Sequence, residues 1–512
     1  MRRTDQTPSP TGAQYDGVGF QRLESTSPQD ECFLQVSPVD WQHRNDHHLS
    51  SVSARQQALA RREGNRMVDT RGHMIAKLFC QMFALLLIPF GWGFAQSTIP
   101  DTPAGRILRA WLEAFNSGDR SKVEAYVKTF DPSQSVDGLT SFRNRTGGFD
   151  LLSIESSEPL HIRFRVKEKG GSTTAIGNFV VKPGQPPSVE VFGLRALPPG
   201  VQPVNVIVDA ALRKRVIDGL NTDLGEFYVD ALLAKQMQDA LESHQKAGDY
   251  DSIVDGDAFA ERLTKDLRAV SHDKHLGLSF SPFKMPESKG PTPEDIAGMR
   301  KRLQQDNCAF EKVEVLPGNI GYVKFNGFAP AAICAPTAVA AMDFVAHTDA
   351  VIFDLRDNGG GDPAMVTFIA SYLFDAPTHL NDLYNRKEDS THQFWTLAYL
   401  PGERMPKQPA FVLTSKRTFS GAEEFAYDLK NQKRATIVGE TTGGGAHPVG
   451  GHPVADYFTV GVPFAKAINP VSKTNWEGTG VEPDVKVPAA DALTTAEKLA
   501  TEKIRAEKPQ HE

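Results

Sequence analysis

The chain has 512 residues, which is too long for one domain and predicts roughly two to four. Its composition, with 40% apolar and 23% charged residues and a formal net charge of −7, is that of a soluble globular protein. The sequence contains no basic stripe of the kind that nucleic-acid-binding proteins need, so we expect no nucleic-acid partner.

The first 73 residues are predicted to be disordered. Residues 1–73 are rich in Ser, Gln, Arg, Asp and Pro and show no apolar period. A signal peptide belongs at a chain terminus, and a signal-like segment follows this stretch. We therefore expect translation to begin at Met67 or Met74, with the preceding residues a misassigned extension.

A secretory signal peptide is predicted over residues 74–95. Lys77 contributes to a positive n-region, Leu78–Phe90 forms an apolar stretch, and small residues precede a cleavage site after Ala95. The apolar stretch is short for a membrane span, so a retained anchor is the less favoured alternative. The pattern predicts an exported protein, periplasmic or extracellular.

Cleavage after Ala95 leaves two cysteines, Cys308 and Cys334, in the mature chain. In an exported protein they could form one disulfide, which would stabilise the fold by roughly 3 kcal/mol at most. Two buried free thiols are an equally good interpretation, and both remain open. Two cysteines are too few for a disulfide scaffold or a thiolate metal site.

Residues 101–196 are predicted to form a small α+β domain. Apolar residues recur at helical spacing over 107–115, a second helix follows, and from about Gly148 the period shortens to that of antiparallel strands. The opening "AWLEAFNSGD" resembles the cone-shaped domains of the nuclear-transport-factor-2-like superfamily. No catalytic constellation is present in this segment, so we expect a binding or spacer role.

Residues 207–285 are predicted to be a helical subdomain, with helix breaks at Gly225 and Gly248. A catalytic core over 307–490 follows, in which short β-rich runs alternate with helical faces. The β-rich runs are "GNIGYVKFNGF", "AVIFDLRD", "PAFVLTS" and "ATIVGET". This order predicts an α/β core with a largely parallel sheet, whose functional residues lie at the carboxyl ends of its strands.

Ser420 lies at one such strand end, immediately before a predicted helix. It could be a helix N-cap, or a nucleophile facing the backbone N–H groups of a helix N-terminus. The glycine run in "DLRDNGGGDPAM" lies at another strand end and could be a tight turn, a phosphate loop or an oxyanion hole. The Gly-Lys-Ser/Thr of a nucleotide-binding loop is missing. The favoured interpretation is an oxyanion hole built from Gly359, Gly360 and Gly421.

A serine nucleophile needs a base, and two histidines are candidates. His447 lies in the loop after the next strand, and His275 lies far upstream at the start of a predicted strand. The residues alone do not choose between them. His447 and His452 could also be metal ligands, but no further ligands occur at a matching spacing, so no metal and no cofactor is expected.

Six blocks occur in order over residues 207–490 and closely resemble the tail-specific (C-terminal-processing) serine peptidase family. The blocks are "DKHLGLSFSP", "CAFEKVEVLPGNIGYVKFNGFA", "VIFDLRDNGGGDP", "VLTSKRTFSGAEEFA", "ATIVGETTGGGAHP" and "EGTGVEPDVKV". The helical segment before them resembles the branch that contains the tricorn core and interphotoreceptor retinoid-binding protein. The resemblance implies a crotonase-like α/β catalytic core.

The resemblance also implies roles for individual residues. Ser420 matches the family nucleophile. The activating lysine of the processing proteases is absent, because Gly445 stands at its place. The "DKHLG" block is similar to the motif of a histidine base and points to His275, and "EGTGVEPD" points to Glu477 as the group that orients it. Ser420, His275 and Glu477 would form a complete catalytic arrangement.

The family usually carries a peptide-binding PDZ module before its core. Residues 281–308 are too few to hold one, so no PDZ module is expected. The resemblance implies an exported serine peptidase that acts on peptide or protein substrates through an acyl-enzyme. The alternatives are a non-catalytic carrier of small apolar ligands, and a serine hydrolase of non-peptide esters or amides. The oligomeric state is not predicted.

Overall fold

The computed structural model describes residues 98–507 except positions 199, 202, 205 and 285–291. The predicted disordered extension, 1–73, and the predicted signal peptide, 74–95, lie outside the described residues. Within the described part of the chain, no helix is both long enough and apolar enough to cross a membrane. The described residues belong to one compact unit.

Three helices and a four-stranded antiparallel sheet form the first domain. Thr102 caps the first helix by accepting a hydrogen bond from the Gly105 N–H at 3.0 Å, and Gly118 ends that helix in the left-handed conformation. Helices followed by antiparallel strands were predicted here, and the prediction is confirmed. The elements are α1 (Pro103–Ser117), α2 (Arg120–Phe130), α3 (Val136–Thr146), β1 (Phe149–Ser157), β2 (His161–Glu168), β3 (Thr174–Lys182) and β4 (Ser188–Ala196).

A mainly helical segment follows. Its elements are α4 (Ala210–Phe227), α5 (Ala231–Ala247), α6 (Gly256–Ser271), β5 (Gly277–Phe280) and α7 (Pro293–Gln305). The break predicted at Gly225 is wrong: α4 continues to Phe227, because Leu224 and Phe227 are buried in the core of this segment. The break at Gly248 is confirmed, since that residue ends α5 with φ 77°.

The core contains the rest of the regular structure. Its elements are β6 (Phe310–Leu316), β7 (Ile320–Phe325), α8 (Ala331–Val345), β8 (Ala350–Asp354), α9 (Pro363–Ser371), β9 (His379–Asn385), β10 (Ser390–Trp395), β11 (Ala410–Thr414), α10 (Gly421–Asn431), β12 (Ala435–Gly439), β13 (Val449–Ala455), β14 (Phe458–Pro463), β15 (Ala465–Ile468), β16 (Val485–Lys486) and α11 (Ala492–Glu507).

A six-stranded sheet in the order β16-β12-β11-β8-β7-β6 is the centre of this core. All neighbouring strands are parallel except β6 and β7. Helices α8, α9 and α10 cover one face, where Val351 and Phe353 are buried, and α11 covers the other, where Ile352 is buried. The predicted fold class, an α/β core with a mostly parallel sheet preceded by helices, is confirmed.

Two smaller sheets flank the core. One has the order β10-β9-β15, and the other has the order β13-β14-β5. In the second sheet, β5 of the helical segment pairs antiparallel with β14 of the core, so that Gly277 lies opposite Gly461. This pairing brings the residues just before β5, which include His275, against the core.

Cys308 and Cys334 form a disulfide that links the segment before β6 to α8. Of the two interpretations that the sequence left open, the disulfide is therefore the one found, and the free thiols are not. Both cysteines are buried.

Candidate active site

Ser420 lies between the buried strand β11 and helix α10. Its backbone has φ 54° and ψ −123°, a conformation that L-residues with a side chain rarely adopt and that resembles the second residue of a type II′ turn. The N-cap Ser135 of helix α3, in contrast, is extended, with φ −88° and ψ 127°. Ser420 thus occupies a strained turn that an ordinary helix cap does not require.

The glycine-rich loop packs directly against this turn. A Cβ on Gly360 would lie 2.7 Å from Ser420 Cβ and 2.6 Å from the Gly421 nitrogen, so no larger residue fits. The Phe419 N–H donates to the Asn358 carbonyl at 3.1 Å. The two strand ends that the sequence singled out therefore meet.

The three glycines predicted as oxyanion donors differ in the availability of their N–H groups. The Gly421 N–H has no hydrogen-bond partner among the described residues. The Gly359 N–H has one long contact, at 3.4 Å, with the Asn326 carbonyl. The Gly360 N–H donates to Asn358 Oδ1 at 2.9 Å. Because the buried Asn358 side chain already accepts the Gly360 N–H, Gly360 is a poor oxyanion donor. Gly421 and Gly359 remain as the candidate donors.

His275 lies beside the serine turn. Its imidazole packs on Phe419, the residue before Ser420, with 4.6 Å between ring centroids. A Cβ on Gly445 would lie 2.6 Å from His275 Cε1, so glycine is needed there to admit the ring. His275 Nδ1 is buried and has no hydrogen-bond partner among the described residues. Burial lowers the pKa of His275 despite the opposing effect of Asp273, so the imidazole is neutral and able to accept a proton.

The second histidine, His447, belongs to a carboxylate cluster. Its Nδ1 lies 2.7 Å from Asp273 Oδ2 and 3.6 Å from Glu477 Oε2. Asp273 is 1% exposed, and its other oxygen accepts the backbone N–H of His275 at 2.9 Å. Burial alone would raise the pKa of Asp273, but the bond to His447 holds it below its usual value.

Glu477 lies in this cluster and not on His275. Its Oε2 accepts the Ala446 N–H at 2.5 Å, and no hydrogen bond joins it to His275 in the described part of the chain. Burial raises the pKa of Glu477. The sequence motif implied that Glu477 contacts His275 directly, and the described residues show no such contact. The Glu477 carboxylate is held instead by the Ala446 N–H and the His447 ring.

Glu423 is a site residue that the sequence interpretation missed. Its carboxylate is 0% exposed, and it accepts four hydrogen bonds that join the serine turn to the loop after β12. The donors are the N–H groups of Ser420 at 2.9 Å, Gly444 at 2.6 Å and Gly445 at 2.9 Å, and the hydroxyl of Thr442 at 2.5 Å. The Ser-x-x-Glu spacing of a capping box could have identified it.

One ligand atom from each of Asp273, His447 and Glu477 lies within 4.8 Å of the other two, which is close enough for the three side chains to hold a cation. One imidazole and two carboxylates suit a divalent metal. The close Asp273–His447 contact, however, already gives both groups a partner. His452 is not part of the cluster, since its ring stacks on Phe227 at 4.1 Å.

Comparison with known protein families gives two adjoining matches. The model of peptidase family S41 matches residues 319–487, and that of the N-terminal domain of this peptidase in eukaryotic IRBP matches residues 210–316. Together they cover more than half of the chain. The second match contains His275, and the first contains Ser420 and Glu477.

The solved structures that this chain matches include three that are described as peptidases. A candidate peptidase from Parabacteroides merdae is 20% identical, with 56% of this chain matching 96% of that one at a TM-score of 0.41. The photosystem II D1 C-terminal processing protease is 15% identical, with coverage of 56% and 96% and a TM-score of 0.37. The tricorn protease is 11% identical, with coverage of 70% and 47% and a TM-score of 0.38.

Proposed function

The chain belongs to peptidase family S41 and is a serine-type peptidase, and from that premise we propose that it is an exported enzyme that cleaves peptide bonds through an acyl-enzyme on Ser420. The observation that carries this proposal is the strained turn at Ser420. It holds the Ser420 hydroxyl at the tip of α10, next to the His275 ring and to the Gly421 N–H, which has no hydrogen-bond partner in the described part of the chain.

In the proposed reaction, His275 takes the proton from Ser420 Oγ as that oxygen attacks the peptide carbonyl. The Gly421 N–H and the Gly359 N–H stabilise the oxyanion, each contributing about 3 kcal/mol. His275 then gives its proton to the leaving amine, and water releases the acyl group by the reverse sequence. Its lowered pKa supports the base role, because a neutral imidazole is required at the first step.

We assign Asp273 and Glu477 supporting roles. Asp273 holds the backbone of His275 and, through its second oxygen, the ring of His447. Glu477 fixes the neighbouring Ala446 N–H. We therefore keep Ser420 as the nucleophile and His275 as the base. Glu477 lies next to His447 and the Ala446 N–H and supports the site from there, without a direct hydrogen bond to His275 among the described residues.

The test of this function is labelling by a fluorophosphonate, together with hydrolysis of peptide substrates. Wild-type protein should label at Ser420, and Ser420→Ala should lose both labelling and peptide hydrolysis while remaining folded. Ser135→Ala is the matched control, because it removes a hydroxyl from an ordinary helix N-cap. It should lose about 1 kcal/mol of folding stability and keep its labelling.

Three results would contradict the proposal in different ways. A wild-type protein that does not label at Ser420 would point to a carrier of small apolar ligands. Labelling at Ser420 with turnover of small esters or amides, and no turnover of any peptide in a diverse library, would point to a non-peptide hydrolase. Retention of peptide hydrolysis by Ser420→Ala would rule out the nucleophile.

A further inference from the structure

Lys324 connects the first domain to the core. It lies on β7 inside the central sheet and is only 8% exposed. Its Nζ donates to Asp137 Oδ2 at 2.5 Å, and Asp137 belongs to the first turn of α3 in the α+β domain. The same ammonium lies 3.2 Å from Glu311 Oε2 and 3.6 Å from Asp357 Oδ2.

Asp357 extends this contact to the proposed active site. Its Oδ1 accepts hydrogen bonds from Arg417 Nε at 3.0 Å and Nη2 at 2.6 Å. Asp357 is two residues before Gly359, and Arg417 is three residues before Ser420. A continuous series of ion pairs, Asp137–Lys324–Asp357–Arg417, therefore runs from α3 to both loops that build the oxyanion hole and the nucleophile turn.

Burial makes this series different from a surface ion pair. The side chains of Lys324 and Asp357 are each 10% exposed, and that of Asp137 is 22% exposed. Burial alone would lower the pKa of Lys324, yet Asp137, Glu311 and Asp357 hold it above its usual value. Removing the ammonium would leave the carboxylates of Asp137, Glu311 and Asp357 facing one another. Arg120 would still pair with Asp137 and Arg417 with Asp357, so we expect the carboxylates to be displaced toward those cations.

A second contact ties the same domain to the segment that provides His275. Arg163 of β2 donates to Asp255 at 2.7 Å and to Asp257 at 2.6 Å. Asp255 is the N-cap of α6, the helix that ends just before Asp273 and His275. The α+β domain thus contacts both parts of the chain that meet at the proposed site.

We propose that Lys324 is a positioning residue, through which the α+β domain holds the loops of Gly359 and Ser420 in the arrangement needed for acyl transfer. This inference rests on the proposed function. In this inference residues 101–196 support the active-site loops, and they need not bind a substrate or ligand themselves. Small displacements of reacting groups are costly, since a shift of about 1 Å can slow a reaction on the order of a hundredfold.

The experiment compares Lys324→Met, Lys324→Arg and wild type in the full chain. The readouts are the rate constant for fluorophosphonate labelling of Ser420 and kcat and KM for a peptide, measured under conditions where each protein is folded. The urea midpoint of each protein is measured separately and establishes those conditions. Lys324→Met should slow labelling and lower kcat by between about tenfold and a hundredfold. Lys324→Arg should restore most of the labelling rate, because it keeps the cation.

The matched control is Asp306→Asn. It removes another ion pair between the same domain and the chain that leads into the core, Arg145–Asp306, which has no contact with Asp357 or Arg417 in the described residues. It should leave labelling within twofold of wild type. If Lys324→Met does not fold, Asp137→Asn replaces it and should slow labelling in the same direction by a smaller factor.

Two outcomes would overturn the inference while leaving the proposed function intact. One is wild-type labelling by a folded Lys324→Met protein. The other is equal slowing by Lys324→Met and Asp306→Asn, which would indicate a general effect of domain docking. Absence of labelling in the wild-type protein would instead overturn the proposed function, and the role of Lys324 with it.

Discussion

His275 and His447 are the two histidines near the site, and experiment has to show which of them is the general base. His275 contacts the serine turn through Phe419, whereas His447 is held by Asp273. We expect His275→Ala to lower kcat by between about a hundredfold and ten-thousandfold, the range for loss of a general base. His447→Ala should mainly lower stability, because it leaves the buried Asp273 carboxylate without its strongest partner.

The pH profile gives the same assignment a second check. Because the base must be neutral, kcat/KM should fall as the solution becomes acidic through the pKa of His275. That pKa lies below the ordinary value of 6.5, so activity should persist to a lower pH than an exposed histidine would permit. Greater loss of kcat in His447→Ala than in His275→Ala would transfer the base role to His447.

Individual residues of the site were predictable where local sequence determines geometry. A strand followed by Ser-Gly and a helix predicts a serine at a helix tip, and three consecutive glycines predict a tight backbone approach. The partner of Glu477 was not predictable in this way, because two histidines were within reach of its loop. Which one it approaches depends on the Ala446 N–H and on Asp273, which is distant in sequence.

Helix α10 carries a second feature besides Ser420, a pair of buried acids one turn apart. Glu424 accepts a hydrogen bond from Asn381 at 3.1 Å, and Asp428 accepts one from Asn469 at 3.0 Å. Burial raises the pKa of Glu424 to about 7, with a further contribution from Asp362, and burial beside Glu424 raises the pKa of Asp428. Neither acid takes part in the proposed chemistry.

This pair predicts a specific dependence of stability on pH. A folded-state pKa of about 7 for Glu424, against 4.5 when unfolded, means that the folded protein binds more protons between these values. Folding stability should therefore fall as pH rises from about 4.5 to 7, by roughly 3 kcal/mol from this group. Glu424→Gln should remove that part of the slope and be more stable than wild type at pH 8.

Urea denaturation from pH 5 to pH 8 measures the difference in stability between Glu424→Gln and wild type. Glu242→Gln is the control, because Glu242 lies on the exposed side of α5 with a half-exposed side chain. A difference that stays constant with pH for Glu424→Gln would contradict the prediction.

Elements were predictable where burial and chain pattern agree. Strands β8 and β11 are buried at every residue and appear in the sequence as short apolar runs bounded by turns. The strand β13, "VGGHPVA", was not predicted, because its two glycines and a proline give little β signal. It forms because it pairs with β14 in the sheet that also contains β5.

At the scale of the whole molecule, the contacts between segments lie beyond what local pattern can predict. Lys324 reads in sequence as one charged residue in an apolar strand, and Asp137 as an acidic residue in the first turn of a helix. The two residues are 187 positions apart in sequence, and only folding brings them together. The same holds for Arg163 and the N-cap of α6.

Export is the part of the proposed function that concerns the whole chain, and two features that are distant in sequence support the proposal. The apolar stretch Leu78–Phe90 precedes small residues at the predicted cleavage site after Ala95. The Cys308–Cys334 disulfide is typical of proteins that fold in an oxidising compartment. Expression with its own N-terminus in a secreting host should give a mature protein whose first residue is Gln96, as read by N-terminal sequencing of the secreted fraction.

Ala95→Arg provides the control for processing, because a large charged residue before the cleavage site blocks signal peptidase without altering any described residue. It should leave a longer, membrane-associated precursor. Thiol counting should also find no free cysteine in the secreted wild-type protein before reduction. An uncleaved wild-type chain that remains in the membrane would support the retained anchor, and a reduced, uncleaved chain in the cytoplasm would contradict export altogether.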